Sequence, residues 1–191
     1  GFTPFRESVQ IYNTPNIQWI MILFMLVGSI NFSLYFYVIR GKLYRLFDKE
    51  FLLYMLTIIA GSTLVIGSLV GKQEMFLSGI SEKLSFLGAI RLGIFQYVSC
   101  QSSTGFVLVD YDQWPYFAQA IMITAMYIGG MSCSTAGGFK VLRYYILVKT
   151  ALFRTEAIFK PETVRTFKIR NQPVNPTIKE TTLCFFFIAT S

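Results

Sequence analysis

The sequence predicts an all-α transmembrane fold made of tandem repeats, each a helix, a re-entrant pore loop and a second helix, arranged around a pore. Three observations carry this prediction. The composition is too apolar for a water-facing surface: 53% of the 191 residues are hydrophobic and 14 more are Gly. Only 14% are charged, where soluble domains carry about 25%. Several charge-free runs are long enough to cross a hydrocarbon core of about 30 Å, which takes roughly 20 helical residues. And one apolar stretch returns 101 residues further along the chain.

The same composition narrows the chemistry. There is no His, which excludes a Ser-His-Asp triad, a histidine base and a His-ligated metal. Cys100, Cys133 and Cys184 are odd in number and form no CxxC pair, so they read as small apolar fillers. No base–nucleophile pair or metal cluster is present in the sequence; an enzyme is not expected, nor a bound cofactor. The apolar content excludes a disordered chain. The net charge of +7 points to cytoplasmic loops of a membrane protein and not to a nucleic-acid surface.

Taken in order, residues 17–39 and 51–70 are charge-free runs of 23 and 20 residues, and each reads as one span. Residues 92–109 are also uncharged, but their second half, from Ser99 to Gly105, is too polar to face lipid. They read as a half-span, a short helix at 91–100 followed by an extended return, buried in protein. Residues 114–139 are uncharged and interrupted by Gly129-Gly130 and Gly137-Gly138. The last eleven residues begin a further span. Opening on Gly-Phe-Thr and closing inside an apolar run, the chain reads as a piece of a longer protein.

Charge sets the orientation. Loop 40–50 carries Arg40, Lys42, Arg45 and Lys49 against Asp48 and Glu50, and segment 140–180 carries nine Lys and Arg against three acids. Both are expected in the cytoplasm; 1–16, 72–91 and 107–113 are then expected outside. That parity requires 91–106 to enter and leave on the outer face.

The repeat pairs residues 18–28 with 119–129, six of eleven being identical. Gly1-Phe2 answers Gly105-Phe106 upstream, and Arg40 answers Arg143 downstream. Three landmarks keep their order: a Gly-Phe turn, an apolar helix broken by Gly, and a basic exit. Parallel repeats of this kind build pathways across membranes.

Two segments carry the expected chemistry. Ser102, Ser103, Thr104, Gly105 and Phe106 are small polar residues, a Gly and an aromatic, following a helix. Backbone carbonyls at membrane depth suit a dehydrated monovalent cation, and those of Ser103, Thr104 and Gly105 are the expected K⁺ ligands. Gly105 allows the left-handed backbone such a turn uses. Asp110 and Asp112 lie at the outer mouth, where they concentrate cations. The second segment, 129–140, contains Gly129, Gly130, Ser132, Ser134, Thr135, Gly137, Gly138 and Lys140. A continuous helix over 114–149 would run about 54 Å, far beyond a bilayer core, so this middle is read as unwound. Lys140 then sits in the inner half of the membrane as a gate element. The segment lacks GxxxxGK[ST] spacing, which excludes a phosphate loop.

SSTGF followed by DYDQWP, and then GGMSCSTAGGFKVLR, resemble the Trk/Ktr/HKT superfamily of potassium transporters, most nearly the Trk-type membrane subunit. The resemblance implies four M1-P-M2 units around one pore. It implies that 1–48 is the end of the second unit, with Gly1 closing its filter segment, and that 49–150 is the third unit. Residues 151–178 become a cytosolic connector and 179–191 the start of the fourth unit's M1. It further implies K⁺ uptake through a carbonyl filter across the plasma membrane of a bacterium or archaeon, gated by 129–140. A homodimer, contact with membrane lipid and a cytosolic nucleotide-binding regulatory subunit are the implied partners. Two alternatives stand beside this: a Na⁺-permeable member of the superfamily, and a non-conducting membrane anchor or sensor that reuses the fold. Relatives often have a glycine in the middle of the gate motif where this chain has Ser132-Cys133.

Overall fold

A computed structural model describes residues 14–42, 48–70 and 86–159, with Thr3, Ser8, Val9, Tyr44, Thr181 and the pairs 168–169 and 172–173. The chain forms two compact units, Gly1–Lys140 and Val141–Ser191. Gly1, loop 72–85 and all of 179–191 except Thr181 lie outside the described residues.

The first unit holds α1 (Pro15–Ser29), α2 (Phe32–Ile39), α3 (Lys49–Val70), α4 (Phe86–Gln101), a 3₁₀ turn at Tyr111–Gln113, and α5 (Tyr116–Ile128). Among the described residues, α3 is the one continuous helix long and apolar enough to cross a membrane. Its buried stripe, Tyr54, Ile58, Gly61, Val65 and Leu69, follows the three-and-four spacing of a helix face. Its other side exposes Leu52, Leu56, Ile59 and Leu64. An apolar face turned outward suits lipid and not water.

α4 lies at the centre and packs against α1, α3 and α5. From Phe95 to Gln101 every side chain is buried. At 16 residues it is about 24 Å long, short of a bilayer core. Its partners are close because a Gly meets an aromatic. A Cβ on Gly61 would stand 2.1 Å from the Tyr97 ring, and Tyr97 Oη donates to Thr57 O at 3.0 Å. Small residues at such crossings let transmembrane helices approach. Val65, Leu69, Tyr97, Cys100, Trp114, Ala118, Met122 and Ala125 form the core between α3, α4 and α5.

Two expectations are corrected here. Residues 17–39 are not one straight span: α1 and α2 meet at a 97° bend. Ser29 Oγ bonds back to Met25 O (2.8 Å) and Leu26 O (3.0 Å), Ile30 turns to extended backbone, and Asn31 Oδ1 caps α2 by accepting from Ser33 N (2.8 Å). Residues that offer the backbone a local alternative end a helix whatever its hydrophobicity. Second, the helix expected over 91–100 begins five residues earlier, at Phe86. The charge at Arg91 stops an apolar run but does not stop a helix, since Arg is a good helix former.

The second unit holds α6 (Val141–Phe159) and a two-residue antiparallel pair, β1 (Lys168–Ile169) with β2 (Gln172–Pro173). Apart from that pair, the regular structure among the described residues is helical. α6 runs nine residues past 150, where the connector was expected to begin. Residues 151–159 contain no Gly or Pro, and Pro161 disfavours helix at the residue before it.

Candidate functional site

The segment 102–106, expected to be a filter, grows out of the end of α4. The amides of Ser102, Ser103 and Thr104 turn back onto Val98 O (2.8 Å), Cys100 O (3.1 Å) and Ser99 O (3.1 Å), and Gly105 N also reaches Ser99 O (3.4 Å). The last turn of the helix thus satisfies the amides of the segment that follows. Ser99 Oγ donates to Phe106 O at 2.7 Å, which occupies that carbonyl and closes the turn. Ser103 and Gly105 both have left-handed backbone, φ 56° and 72°. Ser102 Oγ and Thr104 Oγ1 are 2.7 Å apart, and Ser102 is buried while Ser103 and Gly105 are exposed.

Beyond it, Asp110 and Asp112 are exposed, and Asp110 Oδ1 accepts from Asp112 N at 3.2 Å. Asp110 therefore caps the 3₁₀ turn. Gln119 Nε2 ties the same turn down through Asp112 O (2.8 Å), Tyr111 O and Trp114 O (both 3.2 Å). Burial, then Cys100, Asp112 and Asp110, push the Tyr111 phenol above its usual pKa, so it stays neutral.

The loop 129–140 is a compact structure. Gly129 ends α5 at φ 69°, ψ −160°, a region open in practice only to Gly. Phe139 N returns to Tyr127 O at 2.9 Å, and the Tyr127 and Phe139 rings stack at 6.1 Å. Met131 is fully buried and Ser134 Oγ donates to Met131 O at 2.6 Å. Lys140 folds its ammonium back onto the carbonyls of Ser134 and Ala136.

This loop is seated in the bend between α1 and α2. Met131 N donates to Ser29 O (3.1 Å), Thr135 donates to Gly28 O through N (3.3 Å) and Oγ1 (2.8 Å), and Phe32 N donates to Cys133 O (3.1 Å). In an unbroken helix those groups of 28–32 would pair along the helix. The break in one repeat supplies the partners that hold the loop of the next. The loop also touches the segment 102–106: a Cβ on Gly137 would stand 3.0 Å from Ser103 Oγ.

Three residues outside the expected set hold these pieces together. Gln101 Nε2 donates to Thr57 Oγ1 (2.8 Å) and Gly129 O (3.3 Å), joining the end of α4 to α3 and to the start of the loop. Glu50 Oε1 accepts from Ser132 N at 2.6 Å, and Glu50 is 5% exposed. Tyr54 Oη pairs with Ser29 Oγ inside the core. For Glu50 the one available signal was an acid directly before a charge-free run. For Gln101 it was a long polar side chain beside SSTGF. Gly1, expected to close the preceding filter segment, lies outside the described residues.

Comparison with known proteins bears on this arrangement. The profile of one family, TrkH, described as a cation transport protein, matches residues 1–190. The Trk system potassium uptake protein TrkH of Salmonella typhimurium is 28% identical over 191 residues, which cover 97% of this chain and 37% of that protein. The Trk system potassium uptake protein TrkG of Escherichia coli is 23% identical, over 100% of this chain and 38% of that protein. The crystal structure of the potassium transporter TrkH from Vibrio parahaemolyticus superposes with a TM-score of 0.85 over 98% of this chain and 39% of that one, at 24% identity. The chain thus spans under two-fifths of the length of these relatives.

Proposed function

The chain belongs to the TrkH family of cation transport proteins, and we propose that it forms part of a potassium uptake pathway, in which 102–106 is one filter segment and 129–140 an intramembrane gate. The family is one of transporters and not of enzymes, and its fold is an all-α membrane fold. The observation that carries the proposal is the pairing of the two segments: a turn whose amides are consumed by its own helix, with a glycine loop packed against it at Gly137 and Ser103.

In this reading K⁺ enters past Asp110 and Asp112, sheds water, and is met by the carbonyls of Ser103, Thr104 and Gly105. Ser99 Oγ, bonded to the carbonyl of Phe106, holds the end of the segment in place. The negative end of the α4 dipole at Gln101 adds to the attraction. Below, the loop blocks the path, and the Lys140 ammonium places a positive charge on its inner side, repelling cations while it stays closed. Opening requires the loop to leave the bend at Gly28–Ser29. The lipid-facing rows of α1 and α3 fit the plasma membrane of a bacterium or archaeon. We extend the reading to a homodimer and a cytosolic nucleotide-binding subunit that contacts 150–178.

The test is growth of a bacterium deficient in K⁺ uptake at low external K⁺, carrying the intact protein. Rescue is the expected result. Rescue only in high Na⁺ would favour the Na⁺-permeable alternative. No rescue with normal membrane expression would favour the non-conducting anchor and refute the proposal.

A further inference from the structure

Resting on the gate reading of 129–140, we propose that Glu50 is the latch that holds this loop in its closed seat. Beyond the Gln101 side chain that holds its start at Gly129, the loop has anchors of two kinds. Those to Gly28, Ser29 and Phe32 involve main chain on the α1–α2 side. The anchor to α3 is a carboxylate: Glu50 Oε1, in the first turn of that helix, accepts the Ser132 amide at 2.6 Å across 82 residues of sequence.

Three physical points separate this contact from ordinary packing. A carboxylate buried to 5% exposure is costly to desolvate, and a neutral residue would fill the site more cheaply. The start of α3 offsets part of that cost, because a helix N-terminus favours negative charge. And a charge-assisted bond to a backbone amide is short and strong, so it weights the closed arrangement more than a neutral contact would. The bond also ties the loop to the end of α3 that lies at the close of the basic segment 40–50. A displacement of that end would pull on Ser132 directly. Glu50 is a positioning residue: it touches the loop and not the ion.

The experiment uses the intact protein in liposomes, reading ⁸⁶Rb⁺ flux for wild type, Glu50→Gln and Glu50→Ala, each also in a background lacking residues 132–136. Hydrogen exchange of the peptide covering 129–140 is read on the same preparations. Glu50→Ala should raise flux about tenfold, the effect of losing one charge-assisted bond, and Glu50→Gln by less. Exchange of the loop peptide should speed up in both, with the K⁺ over Na⁺ preference unchanged. In the deletion background neither substitution should add anything. If the deletion raises flux and Glu50→Ala does not, the latch is refuted and the gate stands. If the deletion leaves flux unchanged, the gate reading fails and takes the latch with it. Should Glu50→Ala not fold, unchanged loop exchange in Glu50→Gln overturns the proposal on its own.

Discussion

Gly129→Ala is the sharpest perturbation that the loop geometry offers. Gly129 sits at φ 69°, ψ −160°, where a residue with a Cβ costs about 1–3 kcal/mol. The added Cβ would also stand 2.2 Å from Gly137 O and 2.9 Å from Gly138 Cα. Both neighbours are backbone, so no side chain can swing aside. The two strands of the loop must separate, which endangers the bonds from Phe139 N to Tyr127 O and from Gln101 Nε2 to Gly129 O, each worth about 1 kcal/mol. Together the closed loop loses about 3–5 kcal/mol, a hundredfold or more in its equilibrium. ⁸⁶Rb⁺ flux by the intact protein in liposomes should rise at least about tenfold, with gel-filtration behaviour unchanged. Gly67→Ala is the matched control, because nothing lies within 4 Å of a Cβ there. Wild-type flux in a folded Gly129→Ala variant would refute the reasoning, and so would loss of flux.

Other consequences are open to simpler assays. Gly61→Ala should lower the melting temperature of the detergent-solubilised protein, by the equivalent of about 2–4 kcal/mol, since the Tyr97 ring must move off Thr57 O. Gln101→Leu removes the donor to Thr57 and Gly129 and should cost about 1–3 kcal/mol, read in the same thermal assay. In a Cys184→Ser background, a small maleimide should modify exposed Cys133 in the native protein and reach buried Cys100 only after denaturation.

The local breaks were legible where glycine writes them. α5 stops at Ile128, before the Gly129 expected to break it, and α6 resumes at Val141 directly after Lys140. α3 starts two residues ahead of its charge-free run and ends with it at Val70. The α1–α2 bend was less plain. Hydropathy over 17–39 is uninterrupted, and the bend is made by hydrogen bonds of Ser29 and Asn31 that an apolar count does not register. The repeat did hold a clue, because Gly28 aligns with Gly129. The seating of one break against the other left little to read, since apart from the Thr135 hydroxyl on Gly28 O it is made by main-chain pairs between residues 28–32 and 131–135. Glu50 escaped for another reason: counted as an acid in a basic loop, it is in fact a helix residue facing the interior.

The account depends most on the turn at 102–106 discriminating between alkali ions. Its most direct test is the ability of K⁺ and of Na⁺ to compete with ⁸⁶Rb⁺ uptake by the intact protein in liposomes, wild type beside Gly105→Ser. The account predicts strong competition by K⁺ and little by Na⁺ in the wild type, with Na⁺ competing once a side chain is forced onto the backbone at φ 72°. Equal competition by both ions in the wild type, or discrimination untouched by Gly105→Ser in a folded protein, would contradict it.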